Sequence, residues 1–316
     1  PGTTEDINEG GKTNDTTPLI VGSAKVGAEV TLEVNGQTYG PVTADGSGLW
    51  QIQIPDTDAL PEGEVKFKAT AKDAAGNDVD VEFTIEIDTT ANAVPVINDA
   101  DDNVGEVQAK LNHGDHTDDN TPQINGTGTA GETIRIYKDG SFIAEVTVQP
   151  DNSWTYTPTD ALPEGEHVYT ASSVDDVGNE SAQTPPFSIT VDRTSPDDIT
   201  GFMGYDDVGL VQSEINDGDT IDDATPTFSG EVNGAEVAMG STVTVIIRDA
   251  NDNVVQTIEG VVLVAGANPG DPATWSTDPS PALGNGSYKV SAKVVDKAGN
   301  ESNETDPLEF DIDTAT

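Results

Sequence analysis

The feature that most constrains this chain is that it is written three times. Asn14-Asp15-Thr16-Thr17-Pro18 recurs as Asp118-Asp119-Asn120-Thr121-Pro122 and as Asp222-Asp223-Ala224-Thr225-Pro226, so the three prolines stand 104 residues apart. A tryptophan follows 32 residues after the first two (Trp50, Trp154) and 49 after the third (Trp275), which gives the third copy an insertion of 17 residues within 232–273. Ala59-Leu60-Pro61-Glu62-Gly63 returns unchanged at 161–165, and Asp73-Ala74-Ala75-Gly76-Asn77 returns as Asp175-Asp176-Val177-Gly178-Asn179 and Asp296-Lys297-Ala298-Gly299-Asn300. Each copy closes on an alternating segment that ends in aspartate, at Asp88, Asp192 and Asp313. A period near one hundred suits whole domains rather than solenoid turns, and places them at 1–90, 91–194 and 195–316.

Within a copy the apolar residues alternate, as in Glu132-Thr133-Ile134-Arg135-Ile136-Tyr137 and Phe187-Ser188-Ile189-Thr190-Val191. Period two means a strand with one buried face. Turn residues such as Lys138-Asp139-Gly140-Ser141 interrupt the pattern every eight to twelve positions, and no helical periodicity is visible. About seven short strands per hundred residues predict an all-β chain of three tandem immunoglobulin-like Greek-key sandwiches, strung as a linear rod. The chain has no cysteine, so the disulfide of antibody domains is missing and the cores must hold by packing. The three tryptophans open strands of one register and read as core anchors.

Charge narrows the function. With 58 acidic and 13 basic residues the formal net charge is −45, which repels nucleic acid and anionic lipid. No apolar run approaches the length that crosses a membrane. The acids sit in turns between apolar strands, so the pattern describes ordered domains with acidic loops. Such self-repulsion is offset by multivalent cations, and calcium, an oxygen-seeking ion that takes six to eight ligands, is the natural one outside a cell. With three histidines, His113, His116 and His167, and no cysteine, transition-metal sites have few ligands. There is no glycine-rich phosphate loop, no His-Glu-x-x-His and no nucleophile elbow, which points away from an enzyme.

The candidate ligands follow from recurrence. In a linear string of sandwiches the last strand ends at the pole facing the next domain, and the loop between the last two strands lies at the opposite pole. Asp88 should therefore approach Asp175 and Asp176, and Asp192 should approach Asp296. Asp73 and Asp313 hold the equivalent places at the two ends of the array. A second cluster flanks the connection between the first two strands: Asp99, Asp101 and Asp102 with Asp118 and Asp119 in copy two, and Asp206 and Asp207 with Asp222 and Asp223 in copy three. Copy one keeps only Asp15 of this set. A second calcium, or one shared with the junction ion, is expected there. Any single aspartate before Thr or Gly is also a common turn former; their convergence is what speaks for metal, since neighbouring carboxylates repel by about 1 kcal/mol per pair even in water.

The order Thr117 to Pro122, Gly128 to Thr133, Asn152-Ser153-Trp154, Leu162 to Gly165, Asp175 to Asn179 and Val191 to Pro196 resembles the bacterial Ig-like repeats of giant non-fimbrial adhesins released by type I secretion, and does so three times over. The resemblance implies a secreted or cell-surface virulence protein, a long row of such domains with calcium at and near their junctions, and host-cell glycans bound by other parts of the parent. This piece would then be a calcium-stiffened spacer, with neighbouring domains of the same chain as its partners. The alternative is a segment that itself binds a glycan or a protein, through the insertion of copy three or a groove between sheets. Starting at Pro1-Gly2 without a leader reads as a fragment, and copy one lacks the acidic stretch that precedes the shared motif in the other two.

Overall fold

The computed structural model describes residues 7–105, 108–210 and 212–315. They form an all-β chain with one short helix, Ala235–Met239, and one turn of 3-10 helix at Asp56–Asp58. Backbone contacts divide the chain into two compact units, which do not follow the repeat boundaries. Residues 1–97, 126–155 and 169–186 make the first, and residues 98–125, 156–168 and 187–316 the second.

The first unit contains all of repeat one. Alternation in Glu29–Val34 puts Val30, Leu32 and Val34 inside, and that strand lies between Gln37–Thr43 and Gly63–Lys72. Asp78–Ile87 pairs with Gly63–Lys72 along ten residues, and Lys12–Thr13 adds in parallel on its far side, which completes a five-stranded sheet. The facing sheet has two strands, Leu19–Ser23 and Leu49–Gln53. Between them lies a core of Leu32, Val34, Ile52, Ile54, Leu60, Val65, Phe67, Ile85 and Ile87, with Phe83 stacked on Phe67 at 4.9 Å. The same unit holds part of repeat two, where Thr133–Lys138 pairs antiparallel with Ser141–Thr147 on one side and with residues 169–174 on the other.

The second unit contains repeat three. One sheet runs Ser213–Ile215, Thr200–Asp206, Thr227–Val232, Ala273–Thr277; the other runs Asp219–Ile221, Leu308–Ile312, Gly286–Val295, Thr242–Asp249, Val254–Val262. Here too the outer strand adds in parallel, Asp219–Ile221 on Leu308–Ile312. From repeat two, this unit takes the parallel pair His116–Thr117 with Phe187–Val191, and the antiparallel pairing of Ala100 and Asp101 with Leu111 and Lys110.

The insertion of repeat three is divided. Relative to repeat two, five extra residues precede Thr242 and contain the helix, and twelve lie between Thr242 and Trp275. Those twelve lengthen the Thr242–Asp249/Val254–Val262 hairpin and form the loop that follows it. The helix is five residues long and escapes any reading by periodicity. Its buried Glu236 accepts hydrogen bonds from the Ser241 hydroxyl (2.6 Å) and the Asp197 amide (3.2 Å).

Two of the tryptophans are the core anchors that their register predicts: Trp154 is 1% exposed and Trp275 2%. Trp50 is only half-buried. His113 Nδ1 accepts a hydrogen bond from the Ser188 amide at 2.9 Å.

Candidate metal centre

The Asp-x-x-Gly-Asn segment folds into a tight turn in every repeat. In repeat two, Asp175 Oδ1 accepts from the amides of Val177 (3.0 Å) and Asn179 (2.8 Å), which leaves Oδ2 to face outward toward the Asn179 side chain. That side chain spans two segments: its Nδ2 donates to Asp175 Oδ2 and to the backbone carbonyl of Asp88, both at 2.8 Å. Held this way, Asp88, Asp175 and Asp176 each bring one carboxylate oxygen within 4.8 Å of the others, and among the described residues this is the one such trio. Glu132 lines one pocket with Asn92, Asp175 and Asp176, and its Oε2 is buried without a hydrogen-bond partner.

Lys12 now supplies the positive charge at this place. Its Nζ is 2.9 Å from Asp88 Oδ2, and that hydrogen bond holds the Asp88 carboxyl below the usual carboxylate range. The same contact, with the charges of Asp88, Glu86 and Asp176, raises Lys12.

The second unit repeats the turn and its asparagine bridge, with Lys297 in the place of Asp176. Asp296 Oδ1 accepts from the amides of Ala298 (2.8 Å) and Asn300 (2.9 Å), and Asn300 Nδ2 donates to Asp296 Oδ2 (2.9 Å) and to the Asp192 carbonyl (2.8 Å). Burial pushes the Asp296 carboxyl above the usual range, and the charge of Asp192 adds to the rise.

The acidic connection is equally regular. Asp102 Oδ2 accepts from the Thr117 hydroxyl at 2.7 Å, and Asp119, 0% exposed, accepts from the Thr121 amide at 2.7 Å and the Asn103 amide at 3.4 Å. Between them Asp118 keeps one buried oxygen, Oδ1, with no partner. Burial raises its carboxyl, helped by Asp102, Asp119 and Asp296, so the two acidic clusters expected from the sequence touch electrostatically in this unit. In repeat three, Asp223 is 1% exposed and takes the Thr225 and Asp207 amides, while burial, then Asp222, Asp223 and Asp207, raise Asp206. A glycine makes each approach possible. A Cβ on Gly105 would sit 2.1 Å from Asp118 Oδ2, and one on Gly209 2.3 Å from Asp222 Oδ2, and both have positive φ.

Other sequence candidates are employed elsewhere. Asp99 and Asp101 pair with Lys110 at 3.0 and 2.6 Å and accept from the Asn125 side chain. Asp15 caps its own turn through the Thr17 amide, with Asn14 in the place of Asp118. Asp73 holds the repeat-one turn and meets Lys25 at 3.4 Å, and Asp313 accepts from the Asn285 side chain at 3.3 Å. Asn179, Asn300 and Glu132 were visible in the recurrence or at its edge, but their roles needed the fold. The donor set as a whole is carboxylate and carbonyl oxygen with two orphaned buried acid oxygens, which fits a hard cation of the calcium type.

The sequence model of a family described as "Bacterial Ig-like domain" matches residues 3–89, 94–193 and 211–314. No curated protein matches. Among solved structures, the chain is similar to a Ca2+-stabilised adhesin by which an Antarctic bacterium binds ice (22% identity, 95% of this chain and 70% of that one, TM-score 0.40). It is also similar to a 1.5-MDa bacterial ice-binding adhesin (20% identity, 96% and 92% covered, TM-score 0.38). A third likeness is to a tetra-tandem repeat from the extending region of a large adhesion protein (20% identity, 95% and 71% covered, TM-score 0.26).

Proposed function

This chain belongs to the bacterial Ig-like domain family, and from that premise we propose that it is a non-enzymatic spacer segment of a secreted or surface-anchored bacterial adhesin, with domains at 1–90, 91–194 and 195–316 braced by calcium. We read its motif order as similar to the repeats of the giant non-fimbrial Salmonella adhesin SiiE. Host-cell attachment would fall to other parts of such a parent.

One observation carries this reading: the end of one repeat is tied to the Asp-x-x-Gly-Asn turn of the next by the same asparagine bridge in both units, with carboxylates gathered beside it. Asp88, Asp175 and Asp176, with Glu132, would hold one ion in the first unit. Asp192, Asp296 and Asp118, with Asp102 and Asp119, would hold calcium in the second, and Asp206, Asp207, Asp222 and Asp223 would hold a further ion. Calcium supplies the positive charge that lets these acids stay ionised side by side. The chain's own residues do the positioning: the turn amides aim Asp175 and Asp296, and the asparagine fixes the preceding carbonyl. An ion at a hundred times its dissociation constant adds about 2.7 kcal/mol per site, enough to stiffen a joint.

The test is a calcium titration with small-angle scattering in calcium and in chelator. Asp88→Ala and Asp192→Ala should each lower the bound stoichiometry, and chelation should change the scattering profile toward greater flexibility. Unchanged stoichiometry in both variants, or identical profiles, refutes the reading.

A further inference from the structure

The insertion of repeat three gives one edge of its fold a character that the other repeats avoid. Thr242–Asp249 and Val254–Val262 form the lengthened hairpin, and Val254–Val262 is the last strand of its sheet. Gln37–Thr43 and Ser141–Thr147 stand at the same edge in repeats one and two, so the edge is a property of the repeat and not of its place in the chain. Those two strands are seven residues long and guarded. The first contains Pro41, which has no amide to offer, and the second carries Glu145, held by Arg135 at 2.9 Å. Val254–Val262 is nine residues long, without proline, lysine or arginine. From Asn253 to Gly270 the sole charge is Glu259, in a chain with 58 acids. Val254, Val255 and Val262 are 56, 49 and 72% exposed, which makes an apolar edge of the kind that pairs with another strand.

The backbone determines which groups are free. The Asp249 amide donates to the Asn253 carbonyl at 2.9 Å. Alternate residues of an antiparallel strand bond the same neighbour, so Ile247, Val245 and Val243 also bond this strand, through Gln256, Ile258 and Val261. Thr257, opposite Ile246, therefore turns its amide and carbonyl to the open edge. Side chains alternate as well. Val254, Thr257 and Glu259 line a groove on the outer face of the sheet with Thr242, Ile246 and Arg248, and Val262, opposite Thr242, shares that face. Ile258 packs against the core.

We propose that this edge is a self-association site whose occupant is the same strand of a second copy of the chain, paired antiparallel about a two-fold axis at Ile258. A two-fold contact must be self-complementary, and Val-Val-Gln-Thr-Ile-Glu-Gly-Val-Val reads nearly alike in both directions. About Ile258, Val254 meets Val262 of the second copy and Val255 meets Val261. Thr257 meets Glu259, and Gln256 meets Gly260, which has no side chain to obstruct it. Outer-face residues thus meet outer-face residues, and Ile258 meets itself on the core side. The two register shifts of the hairpin fall on either side of the axis, so Gln256 to Ile258 stays a regular strand where the two copies cross. No acid faces an acid, since Glu259 lies against a threonine and Asp252 of the turn falls opposite Val264, in an uncharged stretch. In a chain of net charge −45, a second copy can approach here without meeting its own acids. The contact is small, so one pair is weak, and copies held side by side strengthen it by avidity.

The experiment is sedimentation equilibrium of the full chain in low salt and in about 1 M sodium chloride, which screens the general repulsion. A reversible dimer is expected, tighter in salt. Val254→Lys and Val262→Glu should each weaken it about tenfold, because each variant alters both symmetric contacts. The chain carrying both substitutions should recover the dimer, because every Val254–Val262 contact then joins opposite charges. Circular dichroism and melting should stay as in the parent throughout, both side chains being exposed. Three results overturn the proposal: a chain that stays monomeric at millimolar concentration in salt, a dimer that Val254→Lys leaves intact, or a loss in the single variants that the double variant does not recover. Binding of a synthetic peptide of residues 254–262 to a chain that stays monomeric would assign the edge to a foreign strand, and overturns self-pairing too.

Discussion

Asp118 concentrates what is unusual about this chain at the level of one residue. An ionised carboxylate with a buried, unpartnered oxygen is costly unless a cation joins it, and Asp118 has Asp102, Asp119 and Asp296 as neighbours instead. Asp206 and Asp296 share the pattern, raised first by burial and then by nearby acids. A carboxyl raised on folding binds its proton more tightly in the folded chain. Its contribution to stability is therefore complete below the ordinary value near 4 and is lost as pH rises through the raised one. Carboxyls held low by a cation, such as Asp88 beside Lys12, Asp101 beside Lys110 and Glu304 beside Arg248, act in the opposite sense and only below about pH 4. In chelator, then, the melting temperature should rise as pH falls from neutral toward the ordinary carboxylate value near 4, and with saturating calcium it should fall over the same interval as protons displace the ion. Differential scanning calorimetry at several pH values reads both slopes. Parallel slopes with and without calcium would mean that these acids are not its ligands.

At the level of elements, the tryptophan-bearing strands show how one sequence position takes on different roles. Gly126 packs against Trp154, Gly230 against Trp275 and Gly22 against Trp50, yet only the first two tryptophans are fully buried. Truncating a fully buried tryptophan costs about 3–5 kcal/mol, and a half-exposed one should cost nearer the 1 kcal/mol of an average substitution. Trp154→Ala should therefore lower the transition of its repeat far more than Trp50→Ala lowers that of repeat one, as followed by thermal melts of the two variants. Equal losses would show that Trp50 is as well packed as the others. The expected single insertion of repeat three resolved into a helix, a longer hairpin and a loop, because seventeen residues of chain can be shared among connections without disturbing the strand register. Glu236 on that helix serves Ser241, which occupies the position of Glu132 in repeat two. A carboxylate thus returns to the same neighbourhood from a different element.

Across the whole molecule, a charge of −45 poses a question that salt can answer. General self-repulsion is screened by any electrolyte, with a Debye length of about 3 Å at 1 M, while ligands gathered at a site respond to a specific ion. Sodium chloride at 1 M in chelator should recover only part of the melting temperature that millimolar calcium confers, and magnesium, which demands tighter octahedral geometry, should recover less than calcium. Full recovery by sodium chloride would reduce the acidic clusters to a solvated surface. This contrast separates site binding from bulk screening without reference to how the repeats are arranged.

Much of this protein was legible before any coordinates. The 104-residue period, the alternation of strands such as Glu29–Val34 and the recurrence of Asp-x-x-Gly-Asn determined the all-β immunoglobulin-like fold, the family and the turns that carry Asp175 and Asp296, because these depend on local patterns that a chain repeats in sequence. What converges across a hundred residues was left to the tertiary structure. Asp99 and Asp101, whose places in repeat three are held by Met203 and Tyr205, turn to Lys110, since alternate residues of a strand face opposite ways and only Asp102 points inward. Asn179 reaching the Asp88 carbonyl and Glu132 lining one pocket with Asp175 and Asp176 are likewise relations between distant segments. Nothing in the spacing of residues along the chain encodes them until packing has brought the segments together.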